Sequence, residues 1–360
     1  MKIIFIGLTV SSSWGNGHAT TYRGLLKELG SMGHEVCFLE HNKPWYSNNR
    51  DLGSPKEYAL EFYQNLEELK MKFRSFVQTA HLVIVGSYVP QGMEVIQWVF
   101  ETANGVTAFY DIDTPVTLDK LDRGEEEYIS KRLIPGFDLY LSFSGGEVLQ
   151  LLEKKYGAKR ARALYCSVDP EIYYPMDLGK EYALGYLGTY SDDRQPTIRS
   201  FFIQPAQFLK KEKFVIAGSG YPDDIQWPEN IERIGHLPPD LHREFYNRQK
   251  FTLNVTRQTM VKLGFSPNVR LFEAAACGVP IISDYWKGLT DLFEEGNEIF
   301  ISRSVKDLVS ILENTSKKER QKVGEAAQKK IMNNHTATHR ALELITYYQE
   351  VEHLVKRKAS

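Results

Sequence analysis

Apolar residues along this chain come in short runs of strand length, separated by longer amphipathic stretches. In the first half the runs are Ile3 to Leu8, Val36 to Leu39, Leu82 to Val85, Val106 to Tyr110 and Leu139 to Phe143. Between them, apolar positions recur at helical spacing over Thr20 to Met32, Lys56 to Thr79, Gln91 to Ala103 and Gly146 to Tyr156. Strand alternating with helix is the pattern of a parallel sheet covered on both faces. The segment from Cys166 to Tyr182 carries two prolines and no period, as a connector does. After it the pattern restarts, with strands expected at Tyr182 to Leu187, Lys213 to Ala217, Ile231 to Ile234, Phe251 to Val255 and Val279 to Ser283. Helices are expected around Gln195 to Leu209, Pro239 to Arg248, Pro267 to Ala276 and Val305 to Asn314. The last stretch, Lys317 to Arg357, reads as helical throughout and has no strand of its own to cover, so it is expected to pack back across both domains. The fold class is α/β: two Rossmann-like, doubly wound parallel-sheet domains over residues 1–168 and 180–332, with residues 333–360 as a C-terminal helix crossing back to the first.

The first strand opens onto a loop rich in Ser and Gly. A dinucleotide-binding fingerprint needs three glycines directly after the strand, so that the pyrophosphate lands on the helix N-terminus. Gly15 and Gly17 have that spacing, but Thr20 stands at the third position and Val10 to Trp14 intervene. Glu40, at the end of the second strand, imitates the ribose-binding acid of that fingerprint, although a polar residue at a strand terminus is common without such a role. A longer loop opening onto a helix instead offers backbone N–H groups at the carboxyl edge of the sheet, where ligands of doubly wound folds sit. Gly15, Gly17 and His18 are therefore candidates for an acceptor-side lip, with His18 in substrate contact or proton transfer; the alternative for His18 is a capping residue.

The totals narrow the function classes. A length of 360 residues suits two domains, and a formal net charge of -2 with 25% charged residues gives no broad basic field for nucleic acid or a membrane surface. Cys37, Cys166 and Cys277 are far apart and lack metal-ligand spacing, which points to buried thiols in a reducing compartment. No leader pattern and no membrane-span-length apolar run occur, so the expectation is a soluble, cytoplasmic protein. Aromatic residues make up 12%, and Trp14, Trp45, Tyr46 and Tyr88 fall near loop positions where they would stack on a ligand or cover a core.

The sharpest chemistry lies in the second half, in "KLGFSPNVRLFEAAACGVPIISD". Ser266 has the character of an N-cap, Pro267 suits the first helical position, and Gly278 follows the last turn. The helix N-terminus carries free N–H groups and the positive end of the dipole, and Arg270 adds a fixed cation, together a seat for diphosphate. Glu273 falls on roughly the same face, placed to accept from a ribose diol or simply to pair with Arg270. Gly188 and Arg194, in "YLGTYSDDRQPTI", and Gly235 with His236, in "RIGHLPPDLHREFY", leave other strands at the same edge.

These residues resemble a known family. "RLFEAAACGVPIISD" is similar to the nucleotide-sugar-binding helix of glycosyltransferases with two Rossmann domains facing a cleft, the GT-B architecture. "SPNVRLFEAAACGVP" with "YLGTYSDDRQ" and "FYDIDTP" resembles the CgeB-like branch, named after spore-maturation proteins, of the group 1 glycosyltransferases. The resemblance implies that Glu273 binds the donor ribose, that Arg270 and Arg194 contact the diphosphate, and that Gly235 and His236 face the base. The donor set is then Gly188, Arg194, Gly235, His236, Ser266, Asn268, Arg270 and Glu273. Many retaining members have a second glutamate where this chain has Phe265, which leaves the stereochemistry open.

On the acceptor side, "FYDIDTPVT" puts Asp111 and Asp113 two apart after a strand, so both side chains point one way if the strand persists. Asp113 with His18 is the candidate catalytic pair, and Tyr110 and Asp111 join the acceptor wall; the alternative is that the two aspartates cap the turn before Pro115. The "SFSGGE" loop holding Ser144 lines the same edge or merely begins a helix. A metal bound by the aspartates is the less favoured reading, because the donor half already has phosphate-binding cations. The expected activity is metal-independent, hexosyltransferase-type transfer from a nucleotide-diphosphate sugar, most readily UDP-linked, to an acceptor hydroxyl with no cofactor. The acceptor is a saccharide, a small molecule, a protein or a modified nucleic-acid base. The other readings are a nucleotide-sugar epimerase or hydrolase, and a non-catalytic assembly protein with a decayed transferase fold.

Overall fold

The computed structural model describes residues 1–14 and 16–356. The chain divides into two compact units, one formed by Met1–Cys166 with the helix Ala337–Lys356, the other by Ser167–Thr336.

Among the described residues, the first unit is built on strands β1 (Lys2–Gly7), β2 (Glu35–His41), β3 (Ala59–Tyr63), β4 (Leu82–Gly86), β5 (Val106–Asp111), β6 (Leu139–Ser142) and β7 (Ala161–Ala163). They form one parallel sheet in the order β3-β2-β1-β4-β5-β6-β7. The order reverses between β1 and β4, and a crevice opens outside the carboxyl ends of the strands at such a reversal. Residues Ile3 to Gly7 of β1 are all buried, as a central strand with both faces covered requires. The region expected as one helix from Lys56 to Thr79 divides instead into the edge strand β3 and a helix, Leu66–Thr79. Asn65 sets the boundary, its side chain accepting from the Glu68 N–H as an N-cap. β7 is likewise absent from the apolar pattern, since a three-residue edge strand with Arg162 at its centre carries almost no apolar signal.

The second unit repeats the plan with β8 (Tyr182–Leu187), β9 (Phe214–Ala217), β10 (Ile231–Ile234), β11 (Gln249–Asn254), β12 (Ile281–Ser283) and β13 (Phe300–Ile301). The parallel order is β10-β9-β8-β11-β12-β13, so the reversal falls between β8 and β11. The two-residue β13 was too short to register as an apolar run.

The C-terminal stretch, expected to be helical throughout with a crossover helix over residues 333–360, is two helices, Lys317–Asn334 and Ala337–Lys356, broken at His335 and Thr336. The break lies where the chain passes from the second unit to the first, and Thr336 there pairs with Val168 in an isolated bridge. The last helix belongs to the first unit, and Ala341, Leu344, Tyr348 and Val351 enter the same core cluster as Tyr22, Leu25, Leu26 and Leu29 of the helix His18–Ser31. Gly24 sits at their closest approach, where a Cβ would stand 3.0 Å from that of Ala337. Arg162 fastens the same helix through Nε and Nη2 to Glu350, at 2.9 and 2.7 Å. Among the described residues no helix is long and apolar enough to cross a membrane.

Leu344 is fully buried. Replacing it with alanine should destabilise the first unit by about 2 to 5 kcal/mol through lost transfer energy and a residual cavity. Hydrogen exchange should then show β1, β4 and β5 losing protection while β8 and β11 keep theirs; equal loss in both sheets would contradict this placement of the helix.

Candidate functional site

In the second unit the carboxyl ends of β8 and β11 are joined by one guanidinium. Arg270, in the first turn of the helix Val269–Ala276, is 8% exposed; its Nε donates to the Leu187 carbonyl at 2.6 Å and its Nη1 to Asn254 Oδ1 at 2.9 Å. Its flat face lies over the Tyr186 ring, 4.6 Å from the centroid, a cation–π arrangement in a place water scarcely reaches. Gly188 makes room: a Cβ there would come within 2.7 Å of the Tyr186 hydroxyl and 2.8 Å of Arg270 Nη2. Arg194 lies alongside, its Nη2 donating to the Thr189 carbonyl at 2.6 Å. Burial, then the charges of Arg270 and Arg257, hold the Arg194 pKa below its ordinary value against an opposing pull from Tyr186 and Tyr221.

The helix that carries Arg270 starts at Val269, two residues later than expected. Gly264 and Phe265 both take left-handed backbone, and the Ser266 hydroxyl turns back to donate to the Gly264 carbonyl at 2.7 Å instead of capping. Asn268 occupies the cap position without capping, because its Nδ2 donates to Asn254 Oδ1 at 2.7 Å. The first-turn N–H groups therefore carry no side-chain cap, and the dipole's positive end joins the arginines. Three buried polar atoms here, Arg194 Nε, Tyr186 Oη and Asn268 Oδ1, have no hydrogen-bond partner among the described residues. Unmet buried polar atoms cost stability, and clustered at a sheet reversal they mark a place for a polar ligand.

Glu273 takes a different position. Its carboxylate is 3% exposed as a residue and accepts from the Tyr246 hydroxyl at 3.1 Å, with His242 Nδ1 at 3.9 Å. Gly235 and His236 stand exposed on the turn after the edge strand β10. Two residues absent from the sequence-derived donor set join the group. Asn254, fully buried, is the acceptor shared by Arg270 and Asn268, and its own Nδ2 donates to Ser283 Oγ at 2.9 Å. Arg257 lies three residues further on, and the only signal for either was the polar "NVTR" ending an apolar strand.

In the first unit, β1, β4 and β5 bring His18, Tyr88 and Asp113 together. The Tyr88 hydroxyl donates to Asp113 Oδ2 at 2.6 Å, and the His18 ring stacks against Tyr88 with centroids 6.5 Å apart. Tyr88 holds this pose with φ at 64°, a left-handed conformation uncommon outside glycine and often found at functional sites. Asp111 and Tyr110 turn elsewhere. Asp111 is fully buried, accepting from Tyr140 Oη at 2.6 Å and Thr117 Oγ1 at 2.8 Å, and Tyr110 donates to the Leu164 carbonyl inside the core. Gly17 is exposed before the helix His18–Ser31, while Gly15 lies outside the described residues. Ser144 is buried behind the turn after β6.

Glu40 also has a definite place. Its buried carboxylate accepts from the Val10 and Ser11 N–H groups at 2.8 and 2.9 Å and from the hydroxyls of Thr9 and Ser11. Four donors fill the lone pairs a ribose diol would need, so Glu40 fastens the opening loop and does not imitate a dinucleotide-binding acid. Arg23 adds a second clamp, donating to the Val10 carbonyl at 2.9 Å and pairing with Asp51.

Burial pushes the Asp111 carboxyl up to about 7, against the opposing hydrogen bonds from Tyr140 and Thr117. A carboxyl whose folded pKa is raised stabilises the fold fully below its unfolded pKa and loses that contribution as pH rises through the folded value. The window here runs from about 4 to about 7, with a limiting slope near 1.4 kcal/mol per pH unit. Asp111→Asn does not titrate, so the difference in unfolding free energy between wild type and variant should change across that window and level off above it. A constant difference from pH 4 to 8 would show that Asp111 is not raised.

Comparison with known proteins bears on the fold. A family model described as glycosyl transferase-like matches residues 194–346, which include Arg194, Asn254, Arg270 and Glu273. No curated protein sequence matches the chain. Among solved structures, HepE from Anabaena in complex with UDP and glucose is 13% identical, with a TM-score of 0.71 over 97% of this chain and 100% of that one. A sucrose-phosphate synthase from Thermosynechococcus elongatus is 12% identical, with a TM-score of 0.67 over 98% and 99%. An alpha-glucosyltransferase in complex with UDP and a 13-mer DNA containing a HMU base is 13% identical, with a TM-score of 0.66 over 96% and 99%. At such identities the likeness is one of fold, and the chain has the two Rossmann-like parallel-sheet domains of the GT-B glycosyltransferase structures.

Proposed function

We propose that the protein is a glycosyltransferase that moves a hexose from a UDP-sugar to an acceptor hydroxyl, within the CgeB-like branch that its motifs resemble. The observation that carries this reading is the Arg270 group: buried guanidinium nitrogens bound only to neutral oxygens, beside Arg194 and an uncapped helix N-terminus, at the sheet reversal of the second unit. Such a place is completed by an anion with more than one phosphate oxygen. UDP is the favoured nucleotide because HepE and the alpha-glucosyltransferase are both known in complex with it.

In the transfer, an acceptor oxygen forms a bond to the anomeric carbon while the bond from that carbon to the diphosphate oxygen breaks. Charge builds on the departing diphosphate, and Arg194, Arg270 and the helix dipole stabilise it without a metal ion. Asp113, oriented by Tyr88, takes the proton of the acceptor hydroxyl. Glu273 accepts from the donor ribose, with Tyr246 holding the carboxylate in place.

Calorimetric titration with the diphosphates of uridine, guanosine, thymidine, adenosine and cytidine, with and without Mg²⁺, should give selective binding of UDP that does not depend on the ion. Binding of NAD, or of nothing, would overturn the reading. Glu273→Gln should shrink the preference for UDP over 2′-deoxy-UDP from about tenfold towards unity, on the scale of one hydrogen bond to a charged group; an undiminished preference would remove Glu273 from the ribose. Asp113→Asn should leave UDP affinity unchanged and reduce sugar transfer at least a hundredfold, the scale of a lost general base. Wild-type turnover of the sugar nucleotide with no acceptor present would favour epimerase or hydrolase chemistry instead.

A further inference from the structure

The residue after β11 that none of the motifs singled out is Arg257. Its backbone is held from both sides. Before it, Thr256 donates through N and Oγ1 to the two oxygens of Asp284, at 3.1 and 2.8 Å. After it, the Gln258 N–H donates to Asp193 Oδ2 at 3.0 Å, and Asp193 is the residue next to Arg194. Arg257 and Arg194 therefore flank the two ends of one hydrogen bond, on loops leaving the two strands between which the sheet order reverses.

Charge completes the case. Arg257 bears on Arg194 strongly enough to help depress it, with burial as the larger cause, so three guanidiniums share this corner. Asp193 accepts from the Ser191 hydroxyl and the Gln258 N–H, and Asp284 accepts from Thr256. Three like charges gathered where Arg194 Nε lacks a partner call for a multiply charged anion.

We propose that Arg257 is a third donor-binding arginine, reaching the diphosphate from the loop after β11 while Arg194 reaches it from the loop after β8 and Arg270 from the helix Val269–Ala276. The proposal rests on the transferase reading and names a residue of the same site. The hydrogen bonds by which Asp193 and Asp284 hold the loop do not use the Arg257 side chain.

The test compares wild type, Arg257→Ala and Arg257→Lys in calorimetric titrations with UDP and with inorganic pyrophosphate, alongside the melting temperature of the ligand-free protein. Arg257→Ala should weaken both ligands by the same factor, about ten- to hundredfold, with the lysine variant in between and the ligand-free melting temperature unchanged. Unchanged UDP affinity in Arg257→Ala overturns the proposal. So does a loss for UDP with none for pyrophosphate, which places Arg257 at the nucleoside, or a loss of both with a lowered melting temperature that lysine does not rescue, which makes it structural. A wild type that binds neither nucleoside diphosphates nor pyrophosphate sinks the transferase reading itself, and the Arg257 assignment with it.

Discussion

A guanidinium can be buried only where its N–H groups are met, and the second unit is organised around doing this for Arg270. The Leu187 carbonyl meets Nε, Asn254 meets Nη1, and Tyr186 lies beneath the plane. Each partner is fixed in turn: Asn254 by Ser283, Leu187 by its place at the end of β8, and the gap between them by the missing side chain of Gly188. Three strand ends and one helix thus take their relative positions from a single cation. All of its hydrogen-bond acceptors are neutral, so the charge is solvated locally but not cancelled. In a structural ion pair a carboxylate would have been built in alongside.

The fold was legible wherever a strand was central. β1, β4, β5 and β8 are largely apolar runs because both faces are covered, and the helices between them carry periodic apolar faces. Edge strands β3, β7 and β13 were not legible: an edge strand in a covered sheet needs few apolar residues, and β3 reads equally well as the start of the helix that follows Asn65. The break at His335 and Thr336 escaped for another reason, since neither Gly nor Pro marks it; the helix ends there where the chain passes from one core to the other.

The site was legible in its cations and less so in its geometry. Arg194, Arg270, Gly188 and Asn268 fall together as their turns suggested, but Ser266 turns away from the cap and Asn254 appears as the shared acceptor. On the first unit, spacing alone gave Asp111 and Asp113 a common direction. The strand ends at Asp111, so the two part: Asp111 is drawn into a buried set of hydroxyls and Asp113 is met by Tyr88. Glu40 shows the limit of motif reading most plainly. Its position at a strand end matches a ribose acid, yet its lone pairs are already filled by the loop in front of it.

The return of the last helix to the first unit also orders events during synthesis. Ala341, Leu344, Tyr348 and Val351 are part of the core that β1 and the helix His18–Ser31 begin, so that core stays open while the intervening chain is made. The second unit, continuous from Ser167 to Thr336, has all of its own residues outside the ribosome before the final helix has emerged. The first unit is therefore the later of the two to close, and synthesis halted before the last helix emerges leaves a finished second unit tethered to an unfinished first one with its apolar face uncovered.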